Sequence, residues 1–176
     1  MERPMRMTPI APGTRPELAE QEGRILVARG RISPLYQVLL NSPAIADGWE
    51  QMLSAVRNRS SLPADVRELV ILRVAVLNRA PYEFEAHVPH ARAAGASEAQ
   101  IDAMREVPLG EGAPLGEAQR VAVRLADAMT RAIEVPDALY DEVRACFGTQ
   151  RQLDLVATIA AYNMVSRLLV ALQIGH

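Results

Sequence analysis

Proline and glycine punctuate this sequence at intervals of roughly ten to twenty residues, and the apolar residues between the breaks recur at three-and-four spacing. Such a pattern confines the chain to a succession of short and medium helices. Residues 17–29 read as a first helix stopped by Gly30. Ser33-Pro34 and Ser42-Pro43 each set a hydroxyl at a helix start with proline at the first helical position, opening helices over 34–41 and 43–58. Pro63 opens a fourth helix running to about Arg79, and Pro81 a fifth ending at Gly95. Ser97 and Gln100 form a capping box for a short sixth helix ahead of a Pro/Gly loop over 107–116. Residues 117–132, 136–147 and 149–173 supply three more, the last capped by Thr149 with Gln152. The fold class expected is therefore all-α, with about eight or nine helices.

One run tests that reading. Leu69 to Leu77 (LVILRVAVL) is rich in valine and isoleucine and is apolar on nearly every face, so periodicity alone does not separate a buried strand from a buried helix. Pro63, Asp65 and Glu68 just upstream favour a helix start, and no second strand candidate exists to pair with it. We assign a central buried helix.

A chain of 176 residues suits one domain with a sizeable core, so residues 17–176 are taken as a single domain behind a flexible, Pro/Gly-broken N-terminal tail, 1–16. Net charge of −2 argues against a nucleic-acid partner, because phosphate contacts need a basic surface. Lysine is absent, which removes side-chain Schiff-base chemistry. A single cysteine, Cys146, permits neither an internal disulfide nor a thiolate-rich metal site and suits a reducing compartment. With no hydrophobic signal core at the N-terminus, the expected location is cytoplasmic. The last helix is apolar, but Asp154, Asn163 and Arg167 interrupt it, so it reads as a core or subunit-interface element and no membrane is expected.

Glu83 and His87 lie four apart on the fifth helix and share a face, with His90 three residues further on. A carboxylate beside an imidazole fixes its tautomer and favours its charged form, a common preparation for general acid or base work. Glu68, in a run otherwise destined for burial, needs a partner there and completes the cluster if the fourth and fifth helices pack antiparallel across their short connection. The competing reading is an ordinary exposed ion pair. Tyr82, Asn163 and Arg167 are candidate substrate-binding groups, Arg167 as a bidentate clamp for a carboxylate, with a structural pair to Asp154 as its alternative; Tyr162 is a further candidate for lining the cavity. His90 is a weak metal candidate only, because Pro89 is expected to kink the helix and turn that ring away, and no metal or cofactor is expected.

The spacing Glu68, Ala80-Pro-Tyr-Glu83, His87 resembles the Glu…Cys-x-x-Cys-x-x-x-His signature of the alkylhydroperoxidase D-like, carboxymuconolactone decarboxylase superfamily. Glu68 and His87 match the motif acid and imidazole, while Ala80 and Glu83 stand at the cysteine places. The stretch 62–101 and the closing AYNMVSRLLVALQIG are similar to a cysteine-free bacterial subgroup of that family. The resemblance implies an alkylhydroperoxidase D-like helical bundle, an obligate homo-oligomer (trimer or hexamer), and decarboxylation of a carboxylated muconolactone in aromatic catabolism without a cofactor. The departure at Ala80 and Glu83 removes a thiol peroxidase, which needs one thiolate to attack peroxide and another to resolve the sulfenic acid. The leading expectation is a lyase or isomerase using Glu68, Glu83 and His87 for proton transfer on a small lactone or carboxylate. A lactone hydrolase and a non-catalytic, ligand-binding helical oligomer are the alternatives.

Overall fold

The computed structural model describes residues 4–175. Nine α-helices follow one another, α1 (Ala19–Arg29), α2 (Pro34–Leu39), α3 (Pro43–Asn58), α4 (Ala64–Leu77), α5 (Pro81–Ala93), α6 (Glu98–Ala103), α7 (Glu117–Arg131), α8 (Asp137–Cys146) and α9 (Thr149–Leu172), and no strand occurs among the described residues. Each expected helix is present, with ends displaced by at most a few residues. The apolar run at 69–77 is helical, as assigned.

Some expected caps differ. Ser33 and Ser42 occupy the N-cap positions of α2 and α3, yet neither side chain makes a cap hydrogen bond. Proline at the first helical position supplies the start there, by fixing φ and removing one donor that would otherwise need a partner. Thr149 is already helical rather than a cap, and the Gln152 amide donates to the Phe147 carbonyl at 2.7 Å. The Ser97–Gln100 capping box forms as read.

Two compact units divide the chain, one comprising the residues up to Arg59 with those from Ala171 onward, the other Ser60–Val170. In the first, α3 packs on α1 and α2, and Gly30 ends α1 in a left-handed conformation (φ 74°) with its N–H on Leu26 O. Residues of the expected tail are tied down here: Arg6 N–H donates to Leu172 O and Ile10 N–H to Gln37 O, both at 2.9 Å, and Ile10 is buried. A polar knot joins the three helices of this unit, with Arg29 Nε on Glu50 Oε2 at 2.9 Å and the Tyr36 hydroxyl donating to the same oxygen.

The second unit is built around α4, which packs on α5 and α7 and buries nine of its fourteen residues. That explains why its apolar residues show no preferred face. The buried set includes Arg73, fully enclosed, whose guanidinium grips the Asp127 carboxylate of α7 in a bidentate pair and donates to the Met104 and Glu106 carbonyls. The corner after α4 is a Schellman closure: Ala80 N–H returns to Ala75 O at 2.8 Å and Arg79 N–H to Val76 O at 3.0 Å, with Arg79 left-handed at φ 56°. Pro81 then starts α5 at once. Phe84, Val88 and Ala91 of α5 meet Leu69, Leu72 and Ala75 of α4 in one apolar cluster, with Ile101 and Met104 beneath. This tight corner and its apolar seam bring Glu68 and His87 together.

Three side-chain contacts fasten α9 to the rest of the unit. Asp154 accepts from both the N–H and the hydroxyl of Ser61 at 2.7 Å, Asn163 bonds to Asn78 and Thr130, and Ser166 bonds to Glu83. By length and composition α9 could cross a membrane, but half of its most apolar stretch is buried inside the protein.

Candidate functional site

Six side chains gather where α4, α5 and α9 converge. His87 Nδ1 lies 2.8 Å from Glu68 Oε2, with the imidazole 7% and the glutamate 3% exposed. Arg67 Nε donates to the other carboxylate oxygen, Oε1, at 3.2 Å. Burial opposes ionisation of Glu68, but the hydrogen bond from His87, the charge of that ring and neighbouring Arg67 prevail and hold its carboxyl below the ordinary carboxylate range. Glu68 is therefore an anion at neutral pH, and an ionised carboxylate can only accept. The hydrogen between them belongs to His87 Nδ1, which makes Nε2 the nitrogen that gains or loses a proton when the ring titrates.

Tyr162, 2% exposed, stands edge-on to the His87 ring with centroids 5.1 Å apart. One turn before His87 on α5, Glu83 is 2% exposed and accepts a hydrogen bond from the Ser166 hydroxyl, itself fully buried. The cluster thus holds two buried carboxyl groups, Glu68 on the imidazole and Glu83 one turn before it on α5, each held from a different helix: Glu68 by its own neighbour on α4, Glu83 by Ser166 of α9. Such an arrangement can hold, deliver or accept a proton away from bulk water.

The structure brings Glu68, Glu83 and His87 into one buried neighbourhood of the second unit. The other candidates are spread out. Tyr82 is half-buried on α5 just before Glu83. Asn163 is buried, but its amide is engaged by Asn78, Thr130 and the Ile159 carbonyl, so it works as a tie between helices. Arg167 is exposed, and Asp154, its suggested partner, is occupied by Ser61. Pro89 does not turn His90 aside: α5 continues through it, and the His90 ring sits 5.5 Å from that of His87, tilted 53°. Side chains three apart keep a common direction whatever backbone hydrogen bond the proline removes. Among the described residues no three His, Cys, Asp or Glu side chains are grouped as metal ligands. Sequence reasoning missed Ser166. Its only signal is a hydroxyl within an otherwise apolar helix, which does not say which distant residue it meets.

Residues 43–128 match the model of the carboxymuconolactone decarboxylase family. That segment belongs to the family. The sequence matches no curated relative. Among solved structures, the chain is similar to a peroxidase-related protein from Silicibacter, at 20% identity over 97% of this chain and 90% of that one, with a TM-score of 0.80. It is also similar to a putative antioxidant defence protein AhpD from Agrobacterium tumefaciens, at 25% identity over 77% of this chain and 92% of the other, with a TM-score of 0.70. A cysteine-to-alanine variant of the debrominase Bmp8, in complex with 2,3,4-tribromopyrrole, aligns at 15% identity over 98% and 91%, with a TM-score of 0.79. At such identities the first and third likenesses establish the alkylhydroperoxidase D-like fold and nothing about reaction. Family membership agrees with the acid and imidazole positions, and Ala80 and Glu83 distinguish this member from those with a cysteine pair.

Proposed function

We propose that this protein is a cofactor-independent lyase or isomerase that moves a proton on a small lactone or carboxylate. The observation that carries the reading is the buried contact between His87 Nδ1 and Glu68 Oε2 at 2.8 Å. In the decarboxylase form of the reaction, the bond between ring carbon and carboxylate breaks, its electron pair passes into the conjugated lactone as a dienolate, and carbon dioxide leaves. His87 then delivers a proton from Nε2 to the developing carbanion carbon, and solvent replaces it. Glu68 keeps the ring oriented and stabilises its protonated form. Glu83, held by Ser166, belongs to the same cluster, and half-buried Tyr82 is the candidate for orienting the substrate. Enclosure of the site strips water from the departing carboxylate, which favours the neutral product over the charged reactant.

Thiol chemistry finds no support here. Cys146 is alone in the sequence, and burial with Glu117 and Glu142 nearby pushes its thiol pKa up, away from the reactive thiolate. The same reading takes the protein as a cytoplasmic homo-oligomer acting on a small molecule.

The test is turnover of a carboxylated muconolactone and related lactone carboxylates in heavy water. Carbon dioxide release should be accompanied by one deuterium on the product carbon, and His87→Asn and Glu68→Gln should each lower the rate by about 10²–10⁴-fold. Turnover that is absent, or indifferent to both substitutions, contradicts the proposal.

A further inference from the structure

Groups from three helices gather around His87. From α4 come Glu68 and Arg67; from α9, Tyr162 against the ring and Ser166 on neighbouring Glu83; from α5, Glu83 one turn before and His90 one turn after. Only the last of these stands in solvent while touching the ring's neighbourhood: His87 is 7% exposed, whereas His90 is exposed, with its ring 5.5 Å away. Rings that close are within reach of a single bridging water. Arginine holds its proton at any working pH, tyrosine ordinarily gives its proton up only in alkali, and carboxylates ordinarily take one up only in acid. An imidazole is the side chain that both accepts and releases a proton near neutrality.

We propose that His90 is the relay through which buried His87 trades protons with solvent. The inference rests on the reading of His87 as the proton carrier, and extends it by assigning the route of resupply. In one passage, the neutral His90 ring accepts a proton from His87 on one nitrogen and becomes an imidazolium. It then releases the hydrogen on its other nitrogen to water. One proton has moved outward, no bond other than N–H has changed, and the reverse sequence recharges His87. Pro89, between the two histidines, does not interrupt the route, because the route runs through side chains.

The experiment measures exchange of the His87 ring N–H hydrogens with water by NMR in the full chain near neutral pH, comparing the unmodified protein with His90→Gln and His90→Ala. Glutamine keeps polarity and hydrogen bonding but does not titrate, so both variants should slow exchange at His87 by about tenfold or more. Free imidazole added to His90→Ala should restore the rate. Unchanged exchange in both variants overturns the relay, and so does slowed exchange that imidazole fails to rescue, since that marks a structural role. The readout is independent of turnover: the relay fails on exchange rates at His90 variants, whereas the proposed function fails on product formation by His87→Asn.

Discussion

Glu68 is the residue whose environment most directly governs what the site can do. A carboxylate in a helix buried on nearly all sides would ordinarily be driven towards its neutral form, yet the bonds from His87 and Arg67 reverse that tendency. Its pKa is lower folded than unfolded, so the unfolded chain binds more protons in acid. The stability Glu68 contributes is therefore fully present above the ordinary carboxylate range and is lost as pH falls through its folded value. Glu68→Gln should cost about 1.5–3 kcal/mol at neutral pH, the worth of a hydrogen bond to a charged partner. It should also flatten the acid limb of the stability curve, measured by urea unfolding across pH. An acid limb identical to that of the unmodified protein would contradict the assignment. The pairing of Glu68 with His87 was legible from spacing, because a short connection between two helices forces antiparallel packing. The bond from Ser166 to Glu83 was not, since the two are 83 positions apart and nothing local encodes their meeting.

At the scale of elements, prolines and glycines marked nearly every helix start and stop, because fixed φ and left-handed tolerance act locally. Long-range contacts decided the rest. Asn163 and Arg167 shared an expectation from their place on α9, yet one is buried as a tie and the other is exposed. Arg73 lay unremarked in the apolar run, and its partner Asp127 comes from α7. The corner between α4 and α5 is the element on which the site depends, and it carries a local strain. Arg79 holds a left-handed conformation (φ 56°) at the position where glycine is usual. That conformation costs a non-glycine residue roughly 1–2 kcal/mol. Glycine's additional freedom in the unfolded chain costs roughly 0.5–1 kcal/mol in return. Relief wins, and Arg79→Gly should stabilise the protein by about 0.5–1 kcal/mol in denaturant unfolding. A loss of stability would mean that the arginine side chain contributes more than its backbone conformation costs.

On the scale of the whole molecule, all the groups assigned to chemistry come from the unit spanning Ser60–Val170, drawn from three of its helices. The family fold supplies this frame, and what the frame holds differs from a redox member: an alanine and a glutamate stand at the cysteine places, and the buried acid–imidazole couple remains. Proton transfer by His87 requires that Glu68 hold the Nδ1 hydrogen and leave Nε2 for substrate. Nitrogen NMR of the imidazole tests this arrangement most directly. The neutral His87 ring should carry its hydrogen on Nδ1, hydrogen-bonded to a carboxylate, and Glu68→Gln should abolish that preference. A neutral ring with its hydrogen on Nε2, or a spectrum unaffected by Glu68→Gln, would contradict it.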